Sequence, residues 1–353
     1  MRKLNSIRIL RAVTATTVVV HHVLIQGGTV FGQFRVDIFF VLSGFVIALA
    51  LEANTVGVRD FVVSRLVRIV PLYWLATLLV FFGVLLRPDL FNSTVADVGE
   101  LMKSLFFIPY RKESGHIFPL LFVGWTLNYE MLFYAASALA LWWCRRHRAF
   151  VLVAVTLLLA GLFLMANLVH SNQAIIAVLA YDRMLEFPLG FAVWYAWRHG
   201  VRIPVALAAI GAVAMYVLMT WIELVWPNVS PIVGNGLPTA VLLISTLSLE
   251  SLVVDSALIR ALLYLGDASY ATYLSHPFVV EGMRKLLPKV VHGFDVRSTG
   301  GVILAIAVAS VVGCLVYRYV DKPLQRAMRR IINVRRVVNA PAGEVGGGVT
   351  SVD

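Results

Sequence analysis

Charge and cysteine are what this chain has least of. Two cysteines in 353 residues allow one disulfide at most. Cys144 and Cys314 both fall near helix ends expected on the cytoplasmic side, where thiols stay reduced, and they read as small packing residues. No cysteine-rich cluster and no HxxxD-like run is present to hold a metal, so no metal is expected. Only 14% of residues are charged, and 19 acids face 30 Lys and Arg. An ordinary soluble domain does not combine so little charge with 60% apolar residues and a mean hydropathy of +0.85. The chain reads as an all-α polytopic integral membrane protein. No recognisable module accompanies the net charge of +11, so nucleic acid is not an expected partner; bilayer topology accounts for the basic excess. No small-x-small cleavage site follows the first apolar run, which is expected to remain as an anchor. No internal repeat argues for a transporter with inverted halves.

Apolar runs long enough to span a bilayer, about 20 residues each, fall near 8–27, 36–51, 69–86, 122–143, 149–169, 174–197, 203–222, 237–254, 267–283 and 299–318. About ten transmembrane helices are therefore expected. The second and ninth are short or polar for free-standing spans. With the N-terminus inside, the clusters Arg2/Lys3, Arg59/Arg65/Arg68, Arg145/Arg146/Arg148, Arg198/Arg202 and the arginine-rich tail share one side. Roughly 20 of the 30 Lys and Arg then face the cytoplasm, and both termini are expected there. Residues 1–336 form the membrane domain, and the Gly-rich segment 337–353 reads as a disordered tail. Two outward loops, 87–121 with an amphipathic stretch near 97–108, and 284–298, are the natural walls or lids of an outward-facing site.

Within this apolar background a few polar residues stand out. Asp37 opens the run RVDIFFVLSGFVI, and a carboxylate beside hydrocarbon needs a partner. The preceding span carries Arg11 and His22. At 1.5 Å per residue they lie about 16 Å apart along a helix. That puts His22 in the outer half, where Asp37 on the returning helix can face it across a short hairpin as a general-base pair. Ser43 and Gly44 lie deeper, where a missing side chain allows close approach of a ligand or a helix. Arg65 and Arg68, three apart, share a helical face. They suit either a phosphate clamp or a lipid-facing topology anchor. Glu130, six or seven residues into another span, must be protonated or paired, with His22, Arg11 and Arg183 as candidates. His276, just before Pro277, reads either as a structural hydrogen-bonding residue or as part of the chemistry.

In their order, these motifs resemble acyltransferase family 3. They are the Arg and His eleven apart, VDIFFVLSGFVI, the pair Arg65 and Arg68 followed by PLYW, WTLNYEMLFY, and GDASYATYLSHPFV. The likeness runs from about residue 4 to the YVDKPL near the end and is strongest to exopolysaccharide-production acyltransferases. It implies an O-acyltransferase of the inner (cytoplasmic) membrane. The acyl group, usually acetyl, would pass from a cytoplasmic coenzyme A thioester to the hydroxyl of an extracytoplasmic or lipid-linked glycan. His22 matches the family's essential histidine, Asp37 the acid of its VD-FF motif, and Glu130 the acid of its W-S/T-L-x-x-E motif. Arg11 matches the first-helix arginine, and Arg65 and Arg68 the coenzyme-facing pair. On this reading His22 is the general base and Asp37 orients it, with Ser43, Asn128 or a nearby backbone amide as candidate oxyanion donors.

Two departures from the family pattern are evident. Arg35 replaces the usual Gly before Val-Asp, which bears on the outer mouth and acceptor choice. The run Asp321-Lys322-Pro323 replaces a late Glu before Pro and concerns the cytoplasmic helix end. A transporter or flippase for a lipid-linked saccharide, and a structural component of a polysaccharide machine, are the competing readings; neither requires His22 and Asp37 to act together.

Overall fold

The computed structural model describes residues 4–24, 34–52, 56–90, 95–144, 148–169 and 171–332. The basic clusters at Arg2/Lys3 and Arg145/Arg146 and the tail 337–353 lie outside these. Among the described residues thirteen α-helices follow in order: α1 Asn5–Leu24, α2 Phe34–Leu51, α3 Val58–Leu86, α4 Val98–Leu105, α5 Trp125–Trp143, α6 Val151–Leu168 and α7 Ala174–Leu179. Then come α8 Glu186–Arg198, α9 Val205–Val225, α10 Leu237–Ser248, α11 Ala257–Val290, α12 Thr299–Val316 and α13 Lys322–Ile331. No strand occurs among the described residues.

Among the described residues, five helical stretches are long and apolar enough to cross a bilayer: α1, α3, α6, α9, and α12 continued through α13. Large apolar side chains such as Leu79 and Phe82 on α3, Leu157 on α6 and Ile210 on α9 are exposed, while polar groups turn inward. A surface of that kind is solvated by lipid rather than water. This is a multi-pass membrane protein.

Several expected spans differ in extent. The third starts at Val58 rather than residue 69, so Arg65 and Arg68 lie inside α3 and not in a connection. The ninth runs Ala257–Val290 with Pro277 and Pro288 inside it. The run 174–197 is not one helix. It breaks into α7, a 3₁₀ turn at Asp182–Leu185 and α8. The break accommodates Arg183, whose partners lie on other elements, and it leaves Pro188 in the first turn of α8, where a missing N–H is tolerated.

Glycines set two of the closest helix crossings. A Cβ on Gly44 of α2 would stand 2.0 Å from the Phe187 carbonyl oxygen, and one on Gly190 of α8 would stand 2.1 Å from that of Val41. The missing side chain at Gly44 thus admits a helix. Gly266 of α11 lies equally close to the Arg8 carbonyl of α1. At that same end Arg8 and Asp267 form a two-pronged ion pair, Nε–Oδ1 2.8 Å and Nη2–Oδ2 2.6 Å. The Glu250 carboxylate caps α1 by accepting from the backbone N–H groups of Asn5 and Ser6 at 2.9 and 2.7 Å. A carboxylate there complements the positive end of the helix dipole. In the segment 87–121, α4 is capped by Asp97, which accepts from Glu100 N. It is held to α3 by Tyr73, whose hydroxyl donates to the Ser104 carbonyl at 3.1 Å.

Candidate active site

α2 is apolar on nearly every side, so its partners decide what each face does. Val36, Phe39, Phe40 and Ser43, spaced i, i+3, i+4, i+7, line a cavity of about 130 Å³. From the other helices come Arg11 of α1, Arg65 and Arg68 of α3, Thr126, Glu130 and Tyr134 of α5, and Ser269, Tyr270 and Tyr273 of α11. Five of the sequence-predicted site residues, Arg11, Ser43, Arg65, Arg68 and Glu130, therefore meet around one space.

Glu130 is the hub of its polar wall. Its Oε1 accepts from Ser43 Oγ at 3.1 Å and from the Tyr134 hydroxyl one turn away on the same helix. Arg11 donates to Ser269 Oγ through Nε (3.2 Å) and Nη2 (2.9 Å). The Arg65 guanidinium lies over the Phe61 ring at 5.8 Å from its centroid. Three guanidinium groups surround one carboxylate in this cavity, leaving an excess of positive charge.

The cavity shares Ile7, Arg11, Arg68 and Tyr270 with a second one of about 400 Å³ at the end of the molecule that carries α13. Arg8, Arg11, Arg68, Lys322, Arg326 and Arg329 line this vestibule against two acids, Asp267 and Asp321. Asp267 is engaged by Arg8, and Asp321 accepts from Gln325 Nε2 at 2.9 Å. Lys322, Arg326 and Arg329 are spaced i, i+4, i+7. That spacing was a readable signal for a basic helical face, and the sequence reading passed over it.

His22 stands beyond the inner end of the cavity. Arg11 and His22, eleven residues or three turns apart, both face α11, where Ser269 and His276, two turns apart, receive them. His22 Nδ1 lies 2.9 Å from the Val18 carbonyl oxygen and 3.2 Å from His276 Nε2. Phe122 packs beside the ring at 5.3 Å between centroids, and Arg284 Nη2 donates to the His22 carbonyl at 3.2 Å. Tyr273 connects the two places: it lines the cavity, and its ring is 5.8 Å from that of His276.

The expected pairing of Asp37 with His22 is not what the structure shows. Asp37, Val41 and Gly44 (i, i+4, i+7) form the α2 face that meets α8, about a quarter turn from the cavity. Asp37 is fully buried. Its Oδ1 contacts Arg183 Nε at 2.9 Å, and its Oδ2 accepts from Asn235 Nδ2 at 2.8 Å, in the π-helical turn Ile232–Gly236. Glu186, also fully buried, stands beside it. Arg183 therefore partners Asp37, and not Glu130 as one alternative had it. Arg35 is 2% exposed, beside Tyr216 and Glu223 of α9, and so does not stand at an open mouth. Asn128 on α5 is buried outside the cavity lining. Glu186 and Asn235 were not singled out from sequence, although an acid and an amide within apolar runs were the available signal.

Comparison with known proteins gives this assembly a class. The profile described as an acyltransferase domain, that of acyltransferase family 3, matches residues 4–319. The chain belongs to that family and is an enzyme that transfers acyl groups. It is 32% identical over 319 residues to the exopolysaccharide production protein ExoZ of Rhizobium meliloti (strain 1021), covering 88% of this chain and 94% of that one. It is 29% identical over 342 residues to the acyltransferase MdmB of Streptomyces mycarofaciens, covering 89% and 85%. The putative peptidoglycan O-acetyltransferase YrhL of Bacillus subtilis (strain 168) is 24% identical over 374 residues; the match covers 93% of this chain and 56% of that protein. No solved structure gives a significant match. Family membership decides for an enzyme over the transporter and structural readings.

Proposed function

We propose that the protein is an O-acyltransferase of the cytoplasmic membrane that moves an acyl group, acetyl in the simplest case, from coenzyme A to a hydroxyl of an extracytoplasmic glycan such as an exopolysaccharide. The observation that carries this reading is the pair of joined cavities, basic at one end of the molecule and reaching toward His22 near the other. Six cations against two engaged acids suit the phosphates of a nucleotide-bearing thioester. The smaller inner cavity, walled largely by apolar residues and tyrosines, suits its uncharged arm. Names among the relatives, exopolysaccharide production and peptidoglycan O-acetylation, support a glycan acceptor. The basic vestibule would face the cytoplasm, consistent with about ten spans and both termini inside.

On this reading His22 Nε2 takes the proton from the acceptor hydroxyl as its oxygen bonds the acyl carbon and the carbon–sulfur bond breaks. The coenzyme leaves as thiolate and is then protonated. Base catalysis of this kind contributes typically about 10²–10⁴-fold. Arg65 and Arg68 hold phosphates at the passage from vestibule to cavity. Arg11, fixed by Ser269, guides the arm, and Glu130 holds Ser43 and Tyr134 in place beside the guanidinium groups. Asp37 serves the reaction indirectly, by fixing α2 against α8. A deletion strain complemented with wild type or His22→Ala provides the test. Surface-glycan O-acetyl content should return with the wild type and stay at the deletion level with His22→Ala at equal protein abundance. Equal restoration by both would remove His22 from the chemistry.

A further inference from the structure

We infer that Glu281 and Arg284, on the outer part of α11, form the subsite that holds the acceptor sugar beside His22; the inference rests on the reading of His22 and of a glycan acceptor given above. α11 serves as a ruler for the path of the reaction. Asp267 and Tyr270 line the vestibule, Tyr270 and Tyr273 line the inner cavity, and His276 Nε2 lies 3.2 Å from His22. Glu281 comes next, about 7.5 Å beyond His276 and about 21 Å beyond Asp267 along the helix. Neither Glu281 nor Arg284 lines either cavity. The pair therefore lies past the base, on the side opposite the donor's entry, where an extracytoplasmic acceptor has to arrive.

Beyond His276, α11 has three faces. Val280 and Met283 are buried against α1 and α12. Leu286 and Val290 are exposed apolar side chains of the kind that meet lipid. The third face carries Glu281, Arg284 and Lys285, whose side chains are 40%, 19% and 27% exposed. Hydrocarbon does not solvate open charges, so this face borders water. Arg284 joins it to the base: its Nη1 donates to Glu281 Oε1, and its Nη2 donates to the His22 carbonyl at 3.2 Å. That carbonyl lies in the last turn of α1, where helical donors run out. One guanidinium thus spans from Glu281 to the backbone of His22. A sugar offers neighbouring hydroxyls to such a pair. While His22 takes the proton of the hydroxyl to be acylated, the Glu281 carboxylate accepts from another hydroxyl of the same ring. The Phe122 ring, 5.3 Å from that of His22, supplies an apolar wall, and a ring beside a few placed polar groups is the usual make-up of a small-molecule site.

The test uses the full-length protein in lipid nanodiscs, with labelled acetyl-CoA as donor and oligosaccharides cut from the surface glycan of the deletion strain as acceptor. Glu281→Gln should raise acceptor KM about tenfold or more, with donor KM and unfolding temperature unchanged, because a hydrogen bond to a charged group is the stronger kind. Arg284→Met should raise acceptor KM and also lower kcat, since Arg284 touches both Glu281 and His22. Arg284→Lys, which keeps a donor and the charge, should recover part of both. In the wild type, the same oligosaccharides should slow the labelling of Glu281 by a water-soluble carbodiimide severalfold, as read by peptide mass spectrometry, and coenzyme A should not. An unchanged acceptor KM in Glu281→Gln, or equal labelling of Glu281 with and without oligosaccharide, would overturn the inference. So would a rise in donor KM alone, which would place the pair in the donor site. The wild-type labelling decides even where a variant does not fold. If the wild type transfers no acetyl to the oligosaccharides, or His22→Ala still does, the underlying reading fails. If the wild type transfers acetyl, His22→Ala does not, and acceptor KM ignores Glu281, only the subsite fails.

Discussion

The two faces of α2 hold two polar clusters of opposite design. Against α8, Asp37 and Glu186 face Arg183 with Asn235 closing the group, and every member is buried. There two acids share one cation: Arg183 contacts Asp37 at 2.9 Å, while neither oxygen of Glu186 has a hydrogen-bond partner among the described residues. Against α1, α3 and α5, Glu130 faces Arg11, Arg65 and Arg68 around a cavity of about 130 Å³. The first cluster has acids in excess, two to one cation; the second has cations in excess, three to one acid. Charge within a membrane marks function by default, and the balance of charge differs between the two faces: the proposed donor-binding role belongs to the cationic one.

The largest effect should come from breaking the closed cluster. Arg183→Met leaves two buried acids without their cation, and removing one partner of a buried pair typically costs about 3–5 kcal/mol. Thermal unfolding in detergent should show a large loss of stability and yield. The double variant Asp37→Leu with Arg183→Met should recover much of it, since apolar replacement of a whole buried pair is often nearly neutral. An Arg183→Met protein of normal stability that lost transfer activity would contradict the comparison, placing this cluster in the chemistry.

How much of this was readable beforehand depended on whether a second element was needed to interpret a residue. Arg11 and His22 were legible as one stripe because eleven residues make three turns, and α11 does receive both. Arg65 and Arg68 were legible as neighbours for the same reason. Asp37 was not. Its helix is apolar all round, so no periodicity says which face meets a neighbouring helix and which meets a cavity. Only the close crossing at Gly44 and Gly190 decides it. Helix ends also escaped, since charged residues such as Arg65 sit inside α3 and not beyond it.

An intermediate effect should follow from weakening the open cluster. Arg68 lies where vestibule and cavity meet and has no acid bound to it at ion-pair distance among the described residues. Arg68→Met should leave the unfolding temperature near that of the wild type and raise donor KM about ten- to hundredfold, that is about 1.4–2.7 kcal/mol. Arg68→Lys should recover only part, because an ammonium cannot replace a planar fork on phosphate. The same KM should rise with ionic strength in the wild type, as expected of charges in a solvated vestibule. If Arg68→Met instead destabilises the protein and leaves KM alone, the excess cations belong to the scaffold, and the two faces of α2 do not differ in kind.

The smallest effect tests the hinge between the clusters. Ser43 stands next to Gly44 in sequence, but its hydroxyl points the other way, to Glu130 at 3.1 Å. Ser43→Ala removes one hydrogen bond to a carboxyl that Tyr134 also serves, a net change of about 1 kcal/mol. Transfer should therefore fall by less than about tenfold at unchanged stability. An oxyanion donor would behave differently: losing one costs about 10²–10³ in kcat. Measuring kcat for Ser43→Ala beside Tyr134→Phe separates the cases. Equal, modest losses mean that both side chains only hold Glu130. A loss of two orders of magnitude confined to Ser43→Ala would move that hydroxyl from the wall of the cavity to the reacting carbonyl.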